Sequence, residues 1–343
     1  MSKPAAKVTL QSIADAVGVS RMTVSNAFSR PDQLSPELRH RILTTAATLG
    51  YGGPDPAARA LARGRTGSVG LLMNDTLSEA FADAVSAEFL ASVGDALGEH
   101  GLALTLLTTP DPDSAFFPAR DVAMDGVIVY TCTPSTAGMD WLAKRGLPTV
   151  AVDQYGSDGL PTINIDDRGG ARAAAQHLVD LGHRRIGILT LRAEQDGPQD
   201  NFPSHERLLG WQSALADAGI EPTIVTSVFT PTAAAYEAAL ELLQRPDRPT
   251  AVLCFSDVFA RGVLRAAETL RLSVPDDLSV VGFDDNPLAA TSHPPLTTVR
   301  QDVTAKGRAA VAALVATMAE QPPDPVLLPT SLVVRESTAS PPA

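Results

Sequence analysis

Residues 9–28 read TLQSIADAVGVSRMTVSNAF, the pattern of two short helices joined by a glycine turn. Leu10, Ile13, Ala14 and Val17 recur at helical spacing, so a first helix would carry one apolar face, with Thr9 placed to cap it. Gly18 marks the turn, Val19 can plug the small core, and Ser20 can cap a second helix whose inward face is Val24, Ala27 and Phe28. The residues left facing outward are Arg21, Met22, Thr23, Ser25 and Asn26, at or near the start of that second helix. In a helix-turn-helix this end enters the DNA major groove. Arg can pair with guanine O6 and N7 and Asn with adenine N6 and N7; the short hydroxyls of Thr23 and Ser25 suit phosphate oxygens, and Met22 can touch a thymine methyl. The competing reading is an ordinary helical hairpin with a solvated polar face.

The neighbouring sequence weighs against that alternative. Ser35-Pro36, followed by Leu38, Ile42, Ala46 and Leu49, predicts a third helix with a serine cap and proline at its first position. Charge then divides the chain. Residues 1–66 hold nine Lys/Arg against four Asp/Glu, a net of +5, while the remainder holds 18 against 35, a net of −17. The overall charge of −12 would argue against nucleic acid in a one-domain protein; divided in this way, it favours DNA at one end only.

With these features the headpiece, and then nearly every residue from Lys7 to about Glu336, resembles the LacI/GalR family of transcriptional regulators. The resemblance implies that Arg21, Met22 and Asn26 read bases, although relatives often carry arginine at the last of these positions. The linker Gly52–Gly67, GGPDPAARALARGRTG, is opened and closed by glycines and prolines around a stretch of high helix propensity. On composition alone it could equally be a flexible tether. The resemblance implies a hinge helix that orders on operator DNA, with Leu61 wedging into the minor groove and bending the duplex. The expected division is a headpiece over 1–53, a hinge over 54–67 and an effector-binding and dimerisation core over 68–343.

A chain of 343 residues exceeds one typical core, and some 275 of them follow the headpiece. From Ser68 onward, short β-rich runs (SVGLLMND at 68, LALTLLTT at 102, GVIVYT at 126, PTVAVD at 148, RRIGILT at 184, TIVTSVF at 223, TAVLCFSD at 250 and SVVGFDD at 279) alternate with helical stretches such as 80–99, 169–181, 206–218, 236–243 and 259–270. Such alternation predicts an α/β core of two doubly wound parallel sheets, with a ligand crevice beyond the strands' C-terminal ends. The family layout adds three crossovers, as in a periplasmic-binding-protein-like core. It gives a first lobe of about 68–166 and 297–324 and a second of about 167–296 and 325–343, with a last helix at about 303–318 returning to the first lobe.

Polar residues end several strands where the crevice should lie: Asp75, Asp153, Ser256-Asp257 and Asp284-Asp285. An ionised carboxylate can accept from two vicinal hydroxyls and a guanidinium can donate several bonds, so the set suits a polyhydroxylated ligand. By the resemblance Arg207, in ERLLGW, and Asp284, in GFDD, contact the effector, Ser256 stands where relatives often carry Asn, and Phe81 and Phe229 fall at pocket positions. Each has a structural alternative. A strand-end acid can be a helix cap or turn former, and an aromatic beside a strand can be core. Trp211 is assigned to packing, and His183 to a turn entering a strand.

Other chemistry is not signalled. The first strand runs into NDTLSEAF rather than GxGxxG, and neither a P-loop, a nucleophile elbow nor a zinc motif occurs. Six histidines show no paired ligand spacing, so neither a metal nor a cofactor is expected. Cys132 and Cys254 lie in apolar runs and read as buried thiols of a reducing cytosol. The start MSKPAAKVTLQ lacks a signal-peptide core, and no run of about 18 apolar residues occurs, so a cytoplasmic, nucleoid-associated location without membrane contact is expected. The expected function is a dimeric repressor of double-stranded operator DNA, tuned by a small effector, with a sugar favoured. The STASPPA tail lacks the leucine heptads of a tetramer. The rivals are a solute-binding protein or an enzyme of the same core fold.

Overall fold

The computed structural model describes residues 8–73, 76–108, 118–130, 136–156, 159–191, 201–227 and 232–342. The chain divides into two compact units, Met1–Gly67 and Ser68–Ala343. In the first, α1 (Leu10–Val17), α2 (Arg21–Ser29), a short 3-10 turn (Pro31–Gln33) and α3 (Pro36–Thr48) form the headpiece, followed by α4 (Pro56–Arg63). The Thr9 hydroxyl accepts the Ser12 N–H and the Ser12 hydroxyl accepts the Thr9 N–H, both at 3.3 Å, so two otherwise unpaired donors of α1 are satisfied reciprocally. Gly18 ends the helix at φ 77°, a left-handed conformation in which a side chain would be strained. Ser20 caps α2 by accepting the Thr23 N–H at 3.0 Å, and Ser35 caps α3 by accepting the Leu38 N–H at 3.2 Å. The three helices enclose Ile13, Ala14, Val24, Ala27, Ile42 and Ala46, with Val19 and Phe28 packed around them. The Phe28 ring meets Tyr51 edge-on at 5.7 Å between centroids.

The hinge segment is helical. Asp55 caps α4, its carboxylate accepting the Ala57 N–H at 2.8 Å, and Gly64 closes it at φ 65°. Eight residues are too few to hold a helix firmly in water without such ends.

In the second unit the order is β1 (Ser68–Met73), α5 (Leu77–Ala82), α6 (Ala84–Glu99), β2 (Ala103–Thr108), α7 (Pro118–Asp121), β3 (Gly126–Tyr130), α8 (Thr136–Arg145), β4 (Thr149–Val152) and β5 (Thr162–Ile165), then α9 (Asp167–Asp180) and β6 (Ile186–Leu191). There follow α10 (Phe202–Asp217), β7 (Thr223–Ser227), α11 (Thr232–Leu243), β8 (Ala251–Cys254), α12 (Asp257–Thr269), β9 (Ser279–Asp284), α13 (Pro287–Thr291), β10 (Thr297–Arg300), α14 (Val303–Met318), β11 (Val326–Leu328) and β12 (Ser331–Val333). The first sheet runs β11-β5-β4-β3-β1-β2 and the second β12-β10-β9-β8-β6-β7. Each reverses direction of growth beside its first strand, the switch point beyond which doubly wound sheets bind ligands. In β1, Val69, Leu71 and Met73 face the cluster of α6 and α14, while Leu72 faces that of α7 and α8. The second sheet is covered by α9 and α10 on one face and by α11 and α12 on the other.

Four details depart from the sequence reading. The helix expected over 80–99 is broken at Asp83, which is extended (ψ 124°) and caps α6 by accepting the Ser86 N–H at 2.8 Å. β10, assigned above to the first lobe, pairs in parallel with β9 in the second sheet, so the return to the first lobe begins at α14. β11, assigned to the second lobe, pairs with β5 in the first sheet, and the last crossover falls between β11 and β12. The sheets are also not wholly parallel, since β12 runs antiparallel to β10. Strands of three or four residues carry too little periodicity to be assigned to a sheet before their partners are seen.

Candidate functional site

On the headpiece, Arg21 and Met22 are exposed, while Thr23, Ser25 and Asn26 are half-buried. The Thr23 hydroxyl lies 2.8 Å from that of Ser20, within the cap, and the Asn26 amide donates to the Gln33 side-chain oxygen at 3.1 Å. Arg21 and Met22 therefore project freely, whereas Asn26 is held in one orientation with part of its capacity engaged. Leu61, on α4, is 87% exposed, an unusual position for a leucine on a capped helix.

In the two-lobed unit the strand-end residues converge with partners that the strand pattern alone does not reveal. Arg207 sits on the inward stripe of α10. Its Nε donates to Asp167 Oδ1 at 2.7 Å, its Nη1 donates to the Phe255 carbonyl at 2.6 Å, and Asp284 Oδ1 lies 3.5 Å from Nη1. The guanidinium carbon stands 3.6 Å from the Phe283 ring centroid. Gly210 allows this placement, because a Cβ there would collide with the Arg168 carbonyl where α10 crosses α9. On the first-lobe side, Lys306 of α14 is 2% exposed, and its ammonium donates to Asp153 Oδ2 at 2.8 Å and to Gln301 Oε1 at 3.2 Å. Gln301, in the crossover between β10 and α14, donates its amide to Asp284 Oδ1 at 2.8 Å. A hydrogen-bonded chain thus runs Asp153–Lys306–Gln301–Asp284, from one lobe to the other, and ends beside Arg207.

Burial dominates the electrostatics here. It pushes Asp167 up to about 6, against the pull of Arg207, with the charge of Asp153 adding to the rise. Asp284 is raised well above the usual carboxylate range by burial, partly offset by Arg207 and reinforced by Asp257 and Asp83. Burial opposes the charge on Arg207, but Asp167 and Asp284 outweigh it and hold its pKa above the ordinary value. The backbone is unusual at the same places, with Asp153 at φ 55° and Asp284 at φ 112°, conformations that side-chain-bearing residues rarely adopt and that concentrate at functional sites.

Of the expected site residues, Asp153, Arg207 and Asp284 come together, and Asp167, Gln301 and Lys306 join them. Ser256 is the cap of α12, its hydroxyl accepting the Phe259 N–H at 3.4 Å. The oxygens of Asp257 accept from Thr298 at 2.6 Å and from the Asn286 N–H at 2.9 Å, which ties β10 and the α13 cap to α12. Phe81 is 59% exposed on α5, two residues before Asp83, whose charge reaches Asp284. Phe229, Asp75 and Cys132 lie outside the described residues. Trp211 and Cys254 are buried, and His183 is held by Thr250, Ser279 and the Ala339 carbonyl at 2.9, 3.1 and 2.9 Å.

A helix-turn-helix unit, followed by a two-lobed α/β unit with a charged chain of contacts between its lobes, defines a class of DNA-binding proteins with a periplasmic-binding-protein-like core. Residues 9–53 match the model of bacterial regulatory proteins of the lacI family, and residues 175–338 that of the periplasmic binding protein-like domain. The HTH-type transcriptional regulator IpsA of Corynebacterium glutamicum is 39% identical over 317 residues, covering 87% of this chain and 88% of its own length. The lac repressor dimer bound to operator and the anti-inducer ONPF has a TM-score of 0.82 at 25% identity, covering 97% of this chain and 100% of that one. A complex of the transcriptional regulator CelR with cellobiose has a TM-score of 0.69 at 30% identity, covering 96% and 100%. The chain belongs to the LacI family of helix-turn-helix transcriptional regulators. Among the described residues no helix is long and apolar enough to cross a membrane.

Proposed function

We propose that the chain is a homodimeric repressor that acts on DNA in the cytoplasm, without enzymatic activity, and whose grip on a roughly palindromic operator is changed by a small molecule, most simply a sugar, held between its lobes. Arg21 and Met22 reach base edges, Asn26 follows in an orientation set by Gln33, and Thr23 and Ser25 fix register on the phosphates. Leu61 enters the minor groove, which removes its large apolar exposure from water. Two-fold symmetry doubles the few contacts that one small headpiece can make and sets the spacing of the half-sites. The operator-bound lac repressor dimer and the cellobiose-bound CelR are relatives whose ligands have this chemistry.

The observation that carries the effector reading is the chain of contacts from Asp153 and Lys306 through Gln301 to Asp284 and Arg207, because it joins both lobes through groups able to bind hydroxyls. A ligand inserted there binds open and closed lobe arrangements with different affinity, which is what any shift between them requires. Lobe reorientation would then change whether both hinges of a dimer can order on one site. Footprinting of the full-length protein on DNA from its own genome, with and without added sugars, tests this. Protection of a symmetric site that weakens or strengthens with one sugar is the expected result. Protection unaltered by every sugar overturns the effector reading, and absence of protection overturns the regulator.

A further inference from the structure

A second contact between the lobes lies nearer to solvent, apart from the Asp153–Lys306–Gln301–Asp284 chain. Past Asp153 the backbone enters the loop between β4 and β5, and Asn164 of β5 fixes the course of that loop. Its Oδ1 accepts the Gln154 N–H at 3.1 Å, and its Nδ2 donates to the Gln154 carbonyl at 2.9 Å. The next side chain, Tyr155, reaches the second lobe. Its ring stands edge-on to Phe202 at 4.7 Å between centroids and meets His205 at 6.3 Å, while its hydroxyl donates to Glu206 Oε1 at 2.9 Å. Glu206 is itself anchored from α9, since Arg168 donates through Nε to Oε2 and through Nη2 to Oε1, both at 2.9 Å. Tyrosine suits such a place, because its ring covers apolar surface while its hydroxyl finds an acceptor. Burial, and then the bond to Glu206, raise the pKa of the phenol above its ordinary value, so the hydroxyl keeps its proton and goes on donating. Tyr155 is 39% exposed and the Glu206 side chain 14%, which puts the pair at the rim of the junction rather than in its floor.

We propose that Tyr155 and Glu206 form a latch that holds the two lobes closed before any small molecule binds, with Asn164 and Arg168 as the positioning residues of its two halves. The lobes part only when the hydroxyl leaves Glu206 and the ring leaves Phe202, so the strength of the latch sets the fraction of molecules that stand open. A ligand that enters the open form has its apparent affinity reduced in proportion to that fraction. This consequence for affinity rests on the effector reading above; the latch itself does not. Residues that need not touch an effector thereby tune the response to it.

The chain has four tyrosines, so fluorine NMR of the full-length protein, labelled with fluorotyrosine and free of added ligand, tests the latch. Tyr155 reports the rim, and Tyr130, whose ring centroid lies 5.8 Å from the Lys306 ammonium, reports the interior of the junction. Tyr51 in the headpiece and Tyr236 on α11 are internal controls. Tyr155→Phe identifies the Tyr155 signal and removes only the hydroxyl, Tyr155→Ala removes the ring as well, and Glu206→Gln removes the charge of the acceptor. The Tyr130 signal should shift or split in all three variants, with the open-to-closed ratio raised about three- to tenfold by Tyr155→Phe and further by Tyr155→Ala. Tyr51 and Tyr236 should stay in place. A Tyr130 signal that Tyr155→Ala leaves unmoved would make the ring a surface contact without hold on the lobes and overturns the proposal. Should that variant fail to fold, Tyr155→Phe and Glu206→Gln separate the same two outcomes through the same signal. Neither DNA nor effector takes part, so failure here is separate from failure of the regulatory reading, which the footprint decides.

Discussion

Lys306 lies on the inward stripe of α14 with Ala310 and Leu314, and a lysine there needs a charged partner. Lys306→Met leaves Asp153 buried without its cation and should lower the unfolding free energy by ~3–5 kcal/mol in urea titration. Adding Asp153→Leu should recover much of that loss; a single variant as stable as the wild type would contradict the pairing. Asp167 gives a pH signature. Burial holds its folded-state pKa at about 6, above the ordinary 3.8, so its contribution to stability is full below about pH 4 and is lost as pH rises through about 6. The loss amounts to about 3 kcal/mol. Asp167→Asn should remove that slope from unfolding measured across the window, and an unchanged slope would place the titrating group elsewhere. Asp153 and Asp284 were legible because they end strands, and Arg207 because the family resemblance marks it in ERLLGW. Asp167 and Lys306 were not, since a search along strand ends passes over helices, yet both occupy buried helical stripes (167, 171, 174, 178 and 306, 310, 314) in which a charge among alanines and leucines is itself the signal.

At the scale of elements, the helix-turn-helix was readable almost to the residue, because caps and a left-handed glycine are local chemistry: the hydroxyls of Thr9, Ser20 and Ser35 cap the three helices, and Gly18, without a Cβ, takes the left-handed turn. Helices α9 and α10 depend on a closer fit. Gly210→Ala would set a methyl against the Arg168 carbonyl and should destabilise the two-lobed unit by ~1–3 kcal/mol in calorimetry, with no change if the helices can part freely. For DNA, Arg21→Ala should cost ~1–3 kcal/mol and relax preference at one base pair in binding to a library of operator variants. A uniform loss across the library would make it a phosphate contact. Leu61→Ala should weaken operator binding and reduce bending in a gel assay while leaving effector affinity unchanged, and undiminished bending would count against the wedge. The short strands β5, β10, β11 and β12 escaped the sequence, and with them the lobe boundaries, because their assignment rests on neighbours far along the chain.

For the whole molecule, the division of charge was visible before any fold: +5 over the first 66 residues against −17 over the rest. Such a distribution concentrates attraction for DNA on the headpiece and hinge and makes binding weaken steeply with salt. What composition could not show is the contact between the lobes, since the Asp153–Lys306–Gln301–Asp284 chain exists only once three separate segments meet at the crossover. In the proposed mechanism the coupling between effector and operator sites makes the molecule a switch, and it is expected at ~1–3 kcal/mol. Its most direct test is an equilibrium titration of the full-length protein on its footprinted operator, repeated at saturating concentrations of the sugar that alters its footprint. Operator Kd should change by ~5–150-fold. A Kd that is the same with and without the bound sugar would contradict the coupling at the centre of this mechanism.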